Sequence, residues 1–195
     1  MRLHDARTLN ARRSRGARWW CTLLLWSATC VPVLGGDRAH EHGEGHLELL
    51  VEGPGLHLRL EVPAESLLGF EHEPRAATEH AALVQVRERL LAAQRWLVPT
   101  PEAGCVIDMD APPGFQLVGE TAGEARHAGR GHQGHLEIVV EVALRCAEPA
   151  ALVALGIDLF AHFPGLQRIR ASVQTSDRQD YVELTPALTR IVLGP

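Results

Sequence analysis

The chain has 195 residues, enough for one domain with a real core after any leader is removed, and its 19 basic residues are all arginine against 24 acids. The absence of lysine excludes Schiff-base and P-loop chemistry on this chain. Six of those arginines and one acid lie in the first 18 residues, leaving 13 against 23 and a net charge of −10 beyond them. That balance, with no clustered basic stripe, disfavours nucleic acid and suits a protein that attracts cations.

In chain order, a basic stretch carrying Arg2, Arg7, Arg12, Arg13, Arg15 and Arg18 runs into the apolar segment Trp19–Gly35. The segment is short and is broken by Ser27, Thr29 and Pro32, and small residues follow at Gly35 and Gly36. This is the pattern of an export signal, so residues 1–36 are expected to be removed and residues 37–195 to form a single periplasmic α+β domain that is not an integral membrane protein. A lipid anchor on Cys30 and an uncleaved amphipathic anchor are the minor alternatives.

Next comes His-Glu-His-Gly-Glu-Gly-His, residues 40–46. It leads into alternation of Leu47, Leu49 and Val51 with His46, Glu48 and Glu52, a turn at Gly53-Pro54-Gly55, and alternation of Leu56, Leu58, Leu60 and Val62 with His57, Arg59 and Glu61. This predicts a β-hairpin with one wet face. A short helix is expected at 64–69. From Thr78 to Leu97 the apolar positions Leu83, Val86, Leu90, Ala93 and Leu97 step by three and four between Pro74 and Pro99, which predicts one long amphipathic helix. Trp96 near its end reads as a half-exposed packing residue.

Cys105, Ile107 and Met109 share a face, as do Leu136, Ile138, Val140, Val142, Leu144 and Cys146 in the clearest strand, 135–146. Cys105 and Cys146 are the two cysteines beyond the leader. In an oxidising compartment they read as one disulfide across neighbouring strands, closing a loop of about 42 residues. A thiolate metal pair is the competing reading, disfavoured by oxidation. The loop 123–135 holds a second histidine group, His127, His132 and His135. A helix is expected at 149–162 and strands at 167–175, 179–184 and 188–193. The fold class is therefore α+β: an antiparallel sheet, one long amphipathic helix packed on it, and one disulfide.

Imidazole ligates zinc, copper and nickel when neutral, and short glycine-spaced histidine groups let several rings converge on one ion. The candidate ligands are His40, His42 and His46, then His127, His132 and His135 with Glu137 on the strand face of His135, and His72. The two histidine groups can share an ion if strand 46–52 pairs with strand 135–146. The competing reading of His72 is a hydrogen bond to the turn before Pro74. His57 and His80 read as solvent-exposed, and His162 as lying near a helix end. Phe70, Phe160 and Phe163 read as core. HExxH and GxSxG patterns are absent from the sequence. The expectation is a binding protein and not an enzyme, with a metal-independent interaction module as the alternative and a zinc-dependent hydrolase as a weaker one.

Taken together, His40-Glu41-His42-Gly43, Leu68-Gly69-Phe70-Glu71-His72-Glu73-Pro74, Gly104-Cys105 with Cys146, and Leu159-Phe160-Ala161-His162-Phe163-Pro164-Gly165-Leu166 resemble the ZrgA-like periplasmic proteins, in order and over nearly all of the chain beyond the leader. The resemblance implies a periplasmic Zn2+-binding protein linked to zinc acquisition, and the expected role is to capture the ion or to pass it to a membrane importer. It also implies His72 as the family-matched histidine. Many members carry a long His/Asp-rich insertion between the two cysteines. Here only Glu124, His127, His132 and His135 stand in its place, which leaves ligands for one site and not for a large metal store.

Overall fold

The computed structural model describes residues 42–119 and 135–194. The hairpin forms as its alternation requires. Strand β1 (Glu44–Glu52) pairs antiparallel with β2 (Gly55–Pro63), and Leu47 and Leu49 on one strand and Leu56, Leu58 and Leu60 on the other are buried. Gly53 supplies the positive φ, 53°, that the tight turn needs.

Beyond the hairpin, chain order gives the pairs β5–β6 and β8–β9 but not the placing of β2 between β1 and β6 or of β1 beside β8. The large sheet has seven strands: β4 (Cys105–Ile107), β6 (Leu136–Cys146), β2, β1, β8 (Arg168–Gln174) and β9 (Gln179–Leu184), in that order, with β5 (Gly114–Gly119) also on β6. The expected antiparallel sheet is in fact mixed, because β1 and β8 run parallel. Nor does β1 pair with β6; β2 lies between them, antiparallel to both.

Strand β6 is long enough to serve two partners on one edge, β4 opposite residues 144–146 and β5 opposite 136–141. The chain between them is pinned where Arg145 Nη2 donates to Asp108 Oδ2 at 2.8 Å and the Asp108 amide donates to the Ala143 carbonyl at 2.9 Å. The Asp110 amide, and then Arg145, hold the Asp108 carboxyl below the usual carboxylate range. Met109 falls outside β4 and is exposed rather than sharing the Cys105 face. Cys105 and Cys146 are direct register partners and form the disulfide.

The long helix is shorter than its periodicity suggests and covers less. It appears as α2 (Ala77–Leu91), buries only Val86 and Leu90, and leaves Val84 53% exposed. It packs against β5 and the short helix α1 (Ala64–Leu68), which forms where expected. The helix stops because Leu97–Pro99 are recruited as strand β3, and tertiary pairing overrides local propensity. Trp96 is 1% exposed, not half-exposed, and its Nε1 donates to the Leu90 carbonyl at 2.9 Å, satisfying one of the orphan acceptors at the helix end.

The helix expected at 149–162 is also replaced. A 3-10 turn at Pro149–Ala151 leads to strand β7 (Ala154–Ile157), which sits between β3 and β10 (Arg190–Val192) in a second sheet. Leu155 and Ile157 alternate inward, while Gly156 leaves room for Val98, whose Cβ would stand 3.2 Å from an added methyl. His162 consequently lies on an exposed turn and not near a helix end. One hydrophobic core contains side chains of both sheets, together with Trp96, Phe160 and Phe163. The protein is thus mostly β, with few helices, and α+β only in that limited sense. Among the described residues no helix is long and apolar enough to cross a membrane.

Candidate metal centre

Because β2 is antiparallel to both β1 and β6, those two strands begin at the same end of the sheet, where β2 finishes at Pro63. His42, just before β1, and His135, just before β6, are therefore delivered to one place without their strands touching. At Pro63 the chain turns straight into α1, which puts Glu65 there as well. Gly69 then adopts φ 81°, its amide closing on the Glu65 carbonyl at 2.8 Å, and the chain reverses to bring Glu71 to the same end.

The ligand atoms of His42, Glu65 and Glu71 lie within 4.8 Å of one another. His42 Nδ1 contacts Glu65 Oε2, and His135 Nδ1 stands 2.8 Å from Glu71 Oε2. Two imidazoles and two carboxylates thus form a linked group, with Glu65, Glu71 and His135 each near two-fifths exposed and His42 more open. In a tetrahedral zinc site with bonds of about 2.1 Å, neighbouring ligand atoms are about 3.4 Å apart, so His42, Glu65 and Glu71, within 4.8 Å of one another, need movements of about 1 Å to close on an ion. Glu65 Oε2 is shielded from solvent, and the group that meets it is His42 Nδ1. Every donor is nitrogen or oxygen, since Cys105 and Cys146, the cysteines among the described residues, are in the disulfide.

The other candidates stand elsewhere. His46 faces the polar side of the large sheet, 3.9 Å from Glu44 Oε1, and Glu44 is itself buried and held by Arg170 at 3.0 Å and Arg168 at 3.4 Å. His72 stacks on Phe70 with ring centroids 5.2 Å apart, its Nδ1 is 2.9 Å from the Glu73 carbonyl, and its Nε2 is 3.7 Å from Glu79. That places it at the start of α2, beside the turn before Pro74. Glu79 accepts from the amides of Ala76 and Arg75, which hold its carboxyl below the usual range. Glu137 pairs in register with Pro63 and Val118 along β6. His57 and His80 are exposed. His40, His127 and His132 lie outside the described residues.

Glu65 and Glu71 are the members that sequence reasoning does not single out. Glu71 sits inside the Gly69–Pro74 run that carries the family resemblance, so a signal existed. For Glu65 none did: one acid among 24 becomes a candidate only once β2 is seen to end beside His42.

An N/O donor group at one end of a mixed β-sheet, fed by the starts of two strands, is the architecture of a candidate metal-binding β-protein. The chain belongs to the ZrgA family of zinc uptake proteins, whose family model matches residues 39–193. No curated protein matches it.

Proposed function

We propose that this protein binds zinc as cargo in the periplasm, through His42, Glu65, Glu71 and His135, and passes it to a membrane importer. The observation that carries the reading is the convergence of His42, Glu65 and Glu71 within 4.8 Å in a member of a zinc uptake family. His135 serves as fourth donor, or else holds Glu71 in position through their 2.8 Å contact. The donor types support it too: imidazole and carboxylate suit zinc, whereas magnesium prefers an all-oxygen octahedron. The half-open mouth fits an ion that must leave again. On this reading the protein is a carrier and not an enzyme.

The test is calorimetric titration of the purified, oxidised, metal-free protein with zinc, with copper, nickel and magnesium as comparisons. Tight binding of one zinc is expected, weakening in acid because imidazole and carboxylate ligands must be deprotonated. Glu65→Gln and Glu71→Gln should each weaken it by at least about tenfold while the fold is retained. Zinc binding no tighter than millimolar, or unaffected by both substitutions, would refute the reading and leave a metal-independent interaction module.

A further inference from the structure

The most exposed member of the metal centre is His42, and an exposed imidazole ahead of a strand is a poor ligand unless its backbone is fixed. The residue next to it is held on three sides. The Gly43 amide donates to Ser66 Oγ at 3.0 Å in a buried hydrogen bond. The Gly43 carbonyl accepts from the amides of Gln167 at 2.7 Å and Arg168 at 3.0 Å. Its φ is 81°, and a methyl added there would meet Gln167 Cγ and the Gly165 carbonyl oxygen at 3.2 Å.

Ser66 is the member of this arrangement that ties His42 to another ligand. It adjoins Glu65 in α1 as Gly43 adjoins His42, so the hydrogen bond between Gly43 and Ser66 joins the two residues beside two ligands. Ser66 is 7% exposed, and Gly165 packs so closely on its backbone that a methyl there would fall 2.4 Å from the Ser66 carbonyl oxygen. Serine is a weaker helix former than alanine, so α1 gains nothing from it locally. The role of its hydroxyl is to receive the Gly43 amide, which would otherwise be buried without a partner.

We propose that Ser66 is the positioning residue of the metal centre, fixing where His42 stands relative to Glu65 by accepting the Gly43 amide. This rests on the zinc reading above. Ser66 does not touch the ion; it acts through His42, as outer-shell partners of metal ligands do.

The experiment is a double-mutant cycle on the purified protein, with zinc titration as the readout and thermal unfolding of the metal-free proteins alongside. Ser66→Ala should weaken zinc binding roughly 10- to 100-fold. In a His42→Ala background the same substitution should change affinity by no more than about twofold, since the residue through which it acts is gone. Ser66→Thr keeps the acceptor oxygen and should bind within a few-fold of the wild type. Wild-type affinity in Ser66→Ala would overturn this proposal while leaving the zinc site standing. So would an equal loss in the His42→Ala background, which would mark a general structural effect, or a loss in Ser66→Thr as large as in Ser66→Ala. If His42→Ala binds too weakly to measure, the comparison of Ser66→Thr with the wild type decides. A wild type that binds no zinc overturns both readings.

Discussion

Replacing Cys105 and Cys146 together by alanine should strip the protein of much of its stability and leave its metal centre intact. The disulfide joins residues 41 positions apart, so it closes a loop of about 42 residues in the unfolded chain; the chain-entropy relation makes that worth about 4 kcal/mol. With a urea dependence of about 2 kcal/mol/M for a domain of this size, the unfolding midpoint should fall by about 2 M. The metal centre is remote from this change. Strand β6 runs 11 residues from Leu136, beside His135, to Cys146, which at about 3.4 Å per residue separates the two by about 34 Å. Perturbations that far apart, with no shared partner, combine additively, so zinc affinity of the folded variant should stay within about twofold. Urea unfolding of residues 37–195 followed by the fluorescence of Trp96, the only tryptophan in that range and a buried one, gives the midpoint, and calorimetry below the transition gives the affinity. A midpoint within about 0.5 M of the wild type would refute the entropic argument. A tenfold loss of affinity would refute the independence of the two ends.

Two further perturbations test how the core and the loop beside β6 are held. Trp96→Phe removes the donor to the Leu90 carbonyl and should cost roughly 1–3 kcal/mol, a fall of several degrees in Tm by calorimetry; an unchanged Tm would mean that the bond does not stabilise the end of α2. Asp108→Asn tests the sign of a linkage. The carboxyl of Asp108 is held below the usual range in the folded state by the Asp110 amide and Arg145, so its contribution to stability is present above the unfolded-state carboxylate range and is lost as pH falls through the lowered folded value. The variant should therefore be less stable than the wild type at about pH 7 and equal to it at about pH 2, by urea titration. A deficit that persists in acid would point to packing instead of charge.

What the sequence by itself determined is the set of faces and turns. Alternation of leucine and valine with charged residues decided which side of β1, β2 and β6 is buried, because period two is a property of each strand alone. The turn at Gly53, the strands at β8 and β9 and the place of Cys146 on an apolar face were legible for the same local reason. The failures came where a partner far along the chain outweighed local preference. Leu97, at the end of the expected long helix, and residues 154–157, inside the expected helix 149–162, become parts of strands because β3 and β7 each supply the backbone groups the other needs. The metal centre shows the same division. Histidines before two strands marked His42 and His135 as candidates, but nothing in their spacing tells that β2 lies between those strands. Only the antiparallel placing of β2 brings both strand starts to the end where Glu65 and Glu71 emerge, since periodicity encodes which face a residue takes and not which segment comes to lie beside it.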